Sequence, residues 1–262
     1  MPSIDFNGVS LNYRIDGADG APALLMSNSL GTNLDMWDWQ VDALAASFRV
    51  IRYDSRGHGK SSAPKGPYSI EMLAQDALGL LDALNIRRVH FCGLSKGGMV
   101  GQWLGVHASD RLNRLVLANT SPFMPPRELW EQRIETVLSD GMAALEQTII
   151  QRWFSEEFIA AIPAAIAKVR DMILTTPAQG YAACCMAIRD MDQRDSLTAV
   201  RTPTLVIVGD ADPATPPDHG ALIQSRIKGC ELITLQAAHL SNVEQPQAFT
   251  SAVLAFLKAG RN

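Results

Sequence analysis

Phe91-Cys92-Gly93-Leu94-Ser95-Lys96-Gly97-Gly98 is the stretch on which the reading of this chain turns. Gly93, Ser95 and Gly97 form a G-x-S-x-G element after a strand-like run at 88–92, and a helical pattern leaves it over 96–108. On such a strand-turn-helix the serine takes a strained backbone conformation, and the glycines keep Cβ atoms out of the crowded turn. The hydroxyl then stands clear of the sheet edge as a nucleophile. The spacing arises by chance about 0.1 times in a chain of this length, so its surroundings decide its meaning.

Outward from the serine, short β-type runs alternate with helical patterns. Residues 4–14, broken at Asn7-Gly8, read as an opening hairpin, and 23–26, 49–53 and 112–118 read as strands. A helical segment covers 36–47. A second starts at Ser69, with Met72, Leu73, Ala77, Leu80, Leu81 and Leu84 on one face and Glu71 and Asp76 at polar positions. The alternation stops over 121–199, which is rich in Ala, Met, Glu and Arg at helical spacing and broken by prolines. It resumes with strands at 204–208 and 231–235 and helices at 218–227 and 246–258. The chain therefore reads as an α/β protein: a mostly parallel central sheet with helices on both faces, built from 1–120 and 200–262, and an inserted helical cap at 121–199.

Composition narrows the partners. The 262 residues carry 47% hydrophobic and 19% charged residues and a net charge of -4, with no basic run, which argues against nucleic acid or an anionic membrane. No apolar stretch approaches the roughly 18 residues of a membrane span, and the opening residues lack a signal-peptide pattern. A cytoplasmic protein is expected. The four cysteines show no C-x-x-C spacing and read as reduced thiols. Oligomeric state is left open.

A serine hydroxyl needs a base, and the base an orienting carboxylate; after an elbow of this kind both come later in the chain, acid before histidine. The strand at 204–208 runs into Gly209-Asp210-Ala211-Asp212-Pro213, and the strand at 231–235 into Gln236-Ala237-Ala238-His239. Both loops lie at the carboxyl ends of strands, where catalytic groups in open parallel sheets gather. Asp212, deeper in its loop and fixed by Pro213, is favoured over Asp210, which can cap a turn. Among the other histidines His58, in Arg56-Gly57-His58-Gly59, is the rival base, but it precedes the serine. The oxyanion of acyl transfer requires two backbone donors. These are expected to be the Lys96 N–H, at a helix N-terminus, and the Leu30 N–H, in the loop Ser27-Asn28-Ser29-Leu30-Gly31.

With elbow, acid and histidine in place, the chain resembles the α/β-hydrolase superfamily. Tyr53-Asp54-Ser55-Arg56-Gly57-His58-Gly59-Lys60-Ser61-Ser62 is similar to its D-x-R-G-x-G-x-S loop. A closer likeness, to 3-oxoadipate enol-lactonases, rests on Ser27 to Thr32, Met36-Trp37-Asp38, His90 to Ser95, Gly101-Gln102-Trp103-Leu104-Gly105, Leu117-Ala118-Asn119-Thr120 and Gly180-Tyr181-Ala182-Ala183-Cys184-Cys185. This resemblance implies a carboxylated enol-lactone as the small-molecule substrate, a Ser95–His239–Asp212 acyl-enzyme mechanism, and no metal or organic cofactor. The substrate carboxylate asks for a cation in the cap, from Arg133, Arg152 or Arg189, with Trp130 and Trp153 as walls. Lys96 departs from the Leu or Met those lactonases carry after the serine, so its side chain either joins the substrate-binding residues or pairs with an acid. Competing readings are a carbon–carbon bond hydrolase, a carboxylesterase, or a ligand receptor on the same fold.

Overall fold

The structure is a computed structural model that describes residues 2–6 and 8–259. In chain order it contains β1 (Ser3–Phe6), β2 (Val9–Asp16), β3 (Ala23–Ser27), α1 (Asp38–Ala45), β4 (Arg49–Tyr53), α2 (Ile70–Ala83), β5 (Val89–Leu94), α3 (Lys96–His107) and β6 (Leu112–Ala118). Five helices follow: α4 (Arg127–Asp140), α5 (Ala143–Trp153), α6 (Glu156–Ala161), α7 (Pro163–Thr175) and α8 (Ala178–Asp190). The chain closes with β7 (Thr204–Gly209), α9 (Pro217–Arg226), β8 (Glu231–Leu235), α10 (Ser241–Glu244) and α11 (Pro246–Lys258).

One eight-stranded sheet runs in the order β1-β2-β4-β3-β5-β6-β7-β8. The β1–β2 and β2–β4 pairs are antiparallel and all others parallel. Every residue of β5 and β7 is buried, because helices cover both faces of the sheet there. Edge strand β8 keeps two of its five residues exposed. The chain passes from β3 outward to β4, then back across β3 to β5. This reversal opens a crevice at the carboxyl ends of β3 and β5, the usual ligand position in such sheets. Ser27 pairs with Gly93 across it, so the loop after β3 and the elbow after β5 start side by side. Gly209 pairs with Leu235, bringing the loops after β7 and β8 together at the same edge.

Local signals account for most boundaries. The Ser69 side chain caps α2 by accepting from the Met72 N–H at 3.1 Å, with Glu71 in the first turn. The helix expected from residue 36 starts later: Asn33 caps a 3₁₀ turn at Leu34–Trp37, and α1 begins at Asp38. Asp76, expected on the solvent face of α2, is buried. Arg56 clamps it with bonds of 2.7 and 2.6 Å, and this bidentate pairing makes burial of the carboxylate tolerable. The expected hairpin turn includes Asn7, which lies outside the described residues. Helices α4 to α8 leave the sheet between β6 and β7, and α4 packs along α8 above the carboxyl edge.

Candidate active site

Ser95 sits between β5 and α3 with φ 56° and ψ -115°, a strained combination for a non-glycine residue. The neighbouring glycines are dictated by contact. A Cβ on Gly93 would lie 2.2 Å from the Gly97 carbonyl oxygen, and one on Gly97 would lie 2.1 Å from that of Ser27. Two hydrogen bonds hold the turn: the Ser95 N–H donates to the Ala118 carbonyl at 2.9 Å, and Thr120 Oγ1 donates to the Ser95 carbonyl at 2.7 Å.

His239 follows β8 and is buried beside Asp212, which follows β7; its Nδ1 lies 2.8 Å from Asp212 Oδ2. A carboxylate can only accept, so Nδ1 carries a proton, and in the neutral ring Nε2 then keeps its lone pair. Asp212 Oδ2 also accepts from Thr215 Oγ1 at 2.7 Å and Asn119 Nδ2 at 3.0 Å. Asp212 Oδ1 accepts from the Ala214 and Thr215 N–H groups at 2.8 and 3.0 Å. Burial alone would raise this carboxyl, but His239 and the hydrogen bonds outweigh it and hold it well below the usual carboxylate range. Asp210 is exposed and accepts from the Ala237 N–H at 3.1 Å, a turn-capping contact. His58 Nε2 accepts from the Gly31 N–H at 2.9 Å, behind the loop after β3.

Ser95 and His239 line one small cavity of about 50 Å³, together with Leu30, Met99, Ile188 and the cap residues Met124, Trp130, Arg133 and Trp153. It adjoins an outer cavity of about 380 Å³ that shares Trp130, Arg133 and Trp153 and adds Arg152 and His219. The Leu30 N–H has no protein acceptor among the described residues. The Lys96 N–H, in the first turn of α3, has none inside its helix.

The three arginines expected as anchors differ. Arg133 reaches the inner cavity, donates to Tyr181 OH at 3.1 Å and lies over the Trp130 ring at 5.4 Å, with no carboxylate partner among the described residues. Arg152 donates to the Pro213 carbonyl at 2.9 Å and reaches only the outer cavity. Arg189 is engaged by Asp190 at 2.8 Å and Glu131 at 3.8 Å. Lys96 corrects an expectation: its side chain lines neither cavity, is buried, and donates from Nζ to Ser55 Oγ. Among the described residues no acid accepts from it either. It enters the polar cluster beneath the site because the first turn of α3 packs there against the loop after β4.

Sequence reasoning gave Asn119 no role, although it anchors Asp212 and also donates to the Ala238 carbonyl at 3.3 Å. Its place at the carboxyl end of β6, the same edge as both loops, is the signal that could have found it. Met99, Met124 and Ile188 have no such signal, since apolar cavity walls read as core.

This elbow, paired histidine and aspartate, and sheet order define a class. The chain belongs to the α/β-hydrolase fold family, whose model matches residues 22–141. Within that class it is 43% identical over 250 residues to 3-oxoadipate enol-lactonase 2 of Acinetobacter baylyi, covering 95% of this chain and 94% of that protein. Its fold is similar to the crystal structure of the enol-lactonase from Burkholderia xenovorans LB400, with a TM-score of 0.97 at 44% identity, covering 98% and 100% of the two chains. A hydrolase from Pseudomonas aeruginosa PA01 is also similar, with a TM-score of 0.96, 48% identity and 98% coverage of both chains.

Proposed function

We propose that this protein opens 3-oxoadipate enol-lactone to 3-oxoadipate in aromatic catabolism, in the cytoplasm, with residues 121–199 as the substrate-selecting cap. The observation that carries the reading is its 43% identity across 95% of the chain to a protein of that activity. The cavity chemistry supports it. Arg133, free of any carboxylate among the described residues, is the cation for the substrate carboxymethyl group, and Trp130 and Trp153 wall the ring. The four free cysteines fit a reducing compartment.

His239 Nε2 takes the Ser95 proton as Oγ attacks the lactone carbonyl, while the Leu30 and Lys96 N–H groups receive the developing oxyanion. Collapse of the tetrahedral intermediate breaks the ring C–O bond, and the imidazolium returns its proton to the enol oxygen, which stays tethered within the acyl group. The enol becomes the ketone. His239 then activates water to release Ser95 and the product. Asp212 keeps the imidazole in the required tautomer throughout.

The test follows loss of the enol-lactone's ultraviolet absorbance. Wild type should clear it and Ser95→Ala should not. A wild-type protein inert toward the lactone yet active on simple esters would refute the substrate assignment.

A further inference from the structure

Lys96 breaks two local rules. A cation in the first turn of α3 opposes the helix dipole, and its side chain is 1% exposed. The groups facing it are Asp54 and His58 from the loop after β4, Asp76 from α2, already clamped by Arg56, and Cys184 from α8. Burial still holds the ammonium below its ordinary pKa despite the attraction of the Asp54 and Asp76 carboxylates. Such a placement costs stability, and departures of this kind gather at functional sites.

The hydrogen bonds from Nζ run in one direction. Nζ donates to Ser55 Oγ; Ser55 Oγ donates to Asn28 Oδ1 at 2.9 Å; and Asn28 Nδ2 donates to the carbonyls of Ser29 at 3.0 Å and Thr32 at 2.7 Å. An ammonium can only donate, so it occupies an acceptor site on Ser55 and turns that hydroxyl's proton toward Asn28. The Ser55 N–H donates to the same oxygen at 3.1 Å. Asn28 is thereby oriented with its amide nitrogen on the two carbonyls that bracket Leu30. The residue whose own N–H is one oxyanion donor thus reaches through two buried side chains to the loop carrying the other.

We propose that the Lys96 side chain is a positioning residue that fixes the spacing between the two oxyanion donors through Ser55 and Asn28. This rests on the serine-hydrolase reading but not on the identity of the lactone. Its removal should lower transition-state stabilisation without touching substrate binding, since neither Lys96 nor Ser55 lines the cavity.

The test compares wild type, Lys96→Met, Ser55→Ala and the double variant. Methionine keeps the length of the stem and removes the charge. Two rates are read: steady-state hydrolysis, and labelling of Ser95 by a fluorophosphonate, whose phosphoryl oxygen occupies the oxyanion position whatever the natural substrate. Lys96→Met should lose about tenfold to a hundredfold in kcat and in labelling rate, with KM within about twofold and a melting temperature no lower than wild type. A merely structural lysine would reverse that last result. Ser55→Ala should lose rate in the same sense, and the double variant should be no slower than Lys96→Met, because both cut one connection. A folded Lys96→Met protein with wild-type labelling rate overturns the proposal, as do losses that multiply in the double variant. If Lys96→Met does not fold, Ser55→Ala decides alone: unchanged labelling overturns it. Failure of the hydrolase reading itself appears separately, as fluorophosphonate labelling that survives Ser95→Ala.

Discussion

Replacing Arg133 by leucine should separate recognition of the substrate's charge from the chemistry of ring opening. The guanidinium reaches the cavity that Ser95 and His239 line, and its hydrogen-bond partner is neutral Tyr181 OH at 3.1 Å. It therefore has donors to spare for a carboxylate. Leucine keeps part of the apolar stem against Trp130 and removes the fork. A charge-assisted hydrogen-bonded pair contributes about 1.5 to 3 kcal/mol. At roughly 1.4 kcal/mol per decade that is about a 10- to 150-fold loss in kcat/KM. The assay uses two lactones with the same ring, one bearing the carboxymethyl group and one a methyl in its place. The charged lactone should show the loss, concentrated in KM, and the neutral one should change by less than about twofold. Equal losses on both would mean that Arg133 only shapes the cavity, through Trp130 and Tyr181. No loss on the charged lactone would refute the anchor and turn attention to Arg152 at the outer cavity.

Asp212→Asn should lower kcat by about 10⁴-fold, because an amide that donates to Nδ1 imposes the wrong tautomer; unchanged circular dichroism would establish that the loss is not unfolding. The Asp212 carboxyl is held below its ordinary value of 3.8 in the folded chain, so the unfolded chain binds the proton more readily. Wild type should then exceed Asp212→Asn in urea stability above about pH 4 and lose that margin on acidification; a margin that grew as the pH fell would contradict the shift. Gly97→Ala would set a Cβ 2.1 Å from the Ser27 carbonyl oxygen, where backbone must move. A cost of about 3 kcal/mol or more, with near-complete loss of Ser95 labelling, is expected from denaturant titration and fluorophosphonate assays.

The sheet was legible because its strands differ from their surroundings. Runs such as residues 204–208 are buried on both faces, read as short segments of mostly β-branched residues, and end in turn-forming residues. The acid and histidine could be placed because position at a strand's carboxyl end is a property of order along the chain. Asp76 went the other way. Helical periodicity assigns it to the solvent face of α2, but there it is buried and paired with Arg56 from the loop after β4. A pattern read within one helix carries no information about which distant segment will cover it.

Lys96 exposes the same boundary inside the motif that is otherwise clearest. The elbow leaves the first turn of α3 little freedom, so the place of the Lys96 backbone, directly after Ser95, could be expected from order along the chain, and the structure puts it there. Its side chain has several rotatable bonds and two directions open to it from that turn. One leads into the cavity, where a substrate carboxylate would attract it, and the other beneath the loop after β4. The choice depends on Ser55 and Asn28, which lie far away in the chain and carry no spacing relation to residue 96. Ser55 offers an acceptor whose own proton is needed by Asn28, and Asn28 has two loop carbonyls to satisfy. With those partners fixed, the buried path gives Nζ an acceptor on Ser55 and gives the Ser55 proton an acceptor on Asn28. The path into the cavity would add a second cation to a space that Arg133 already lines and that holds no carboxylate among its lining residues. On the proposal above, the backbone and side chain of one residue would serve the same oxyanion, one by contact and the other by holding its counterpart in place.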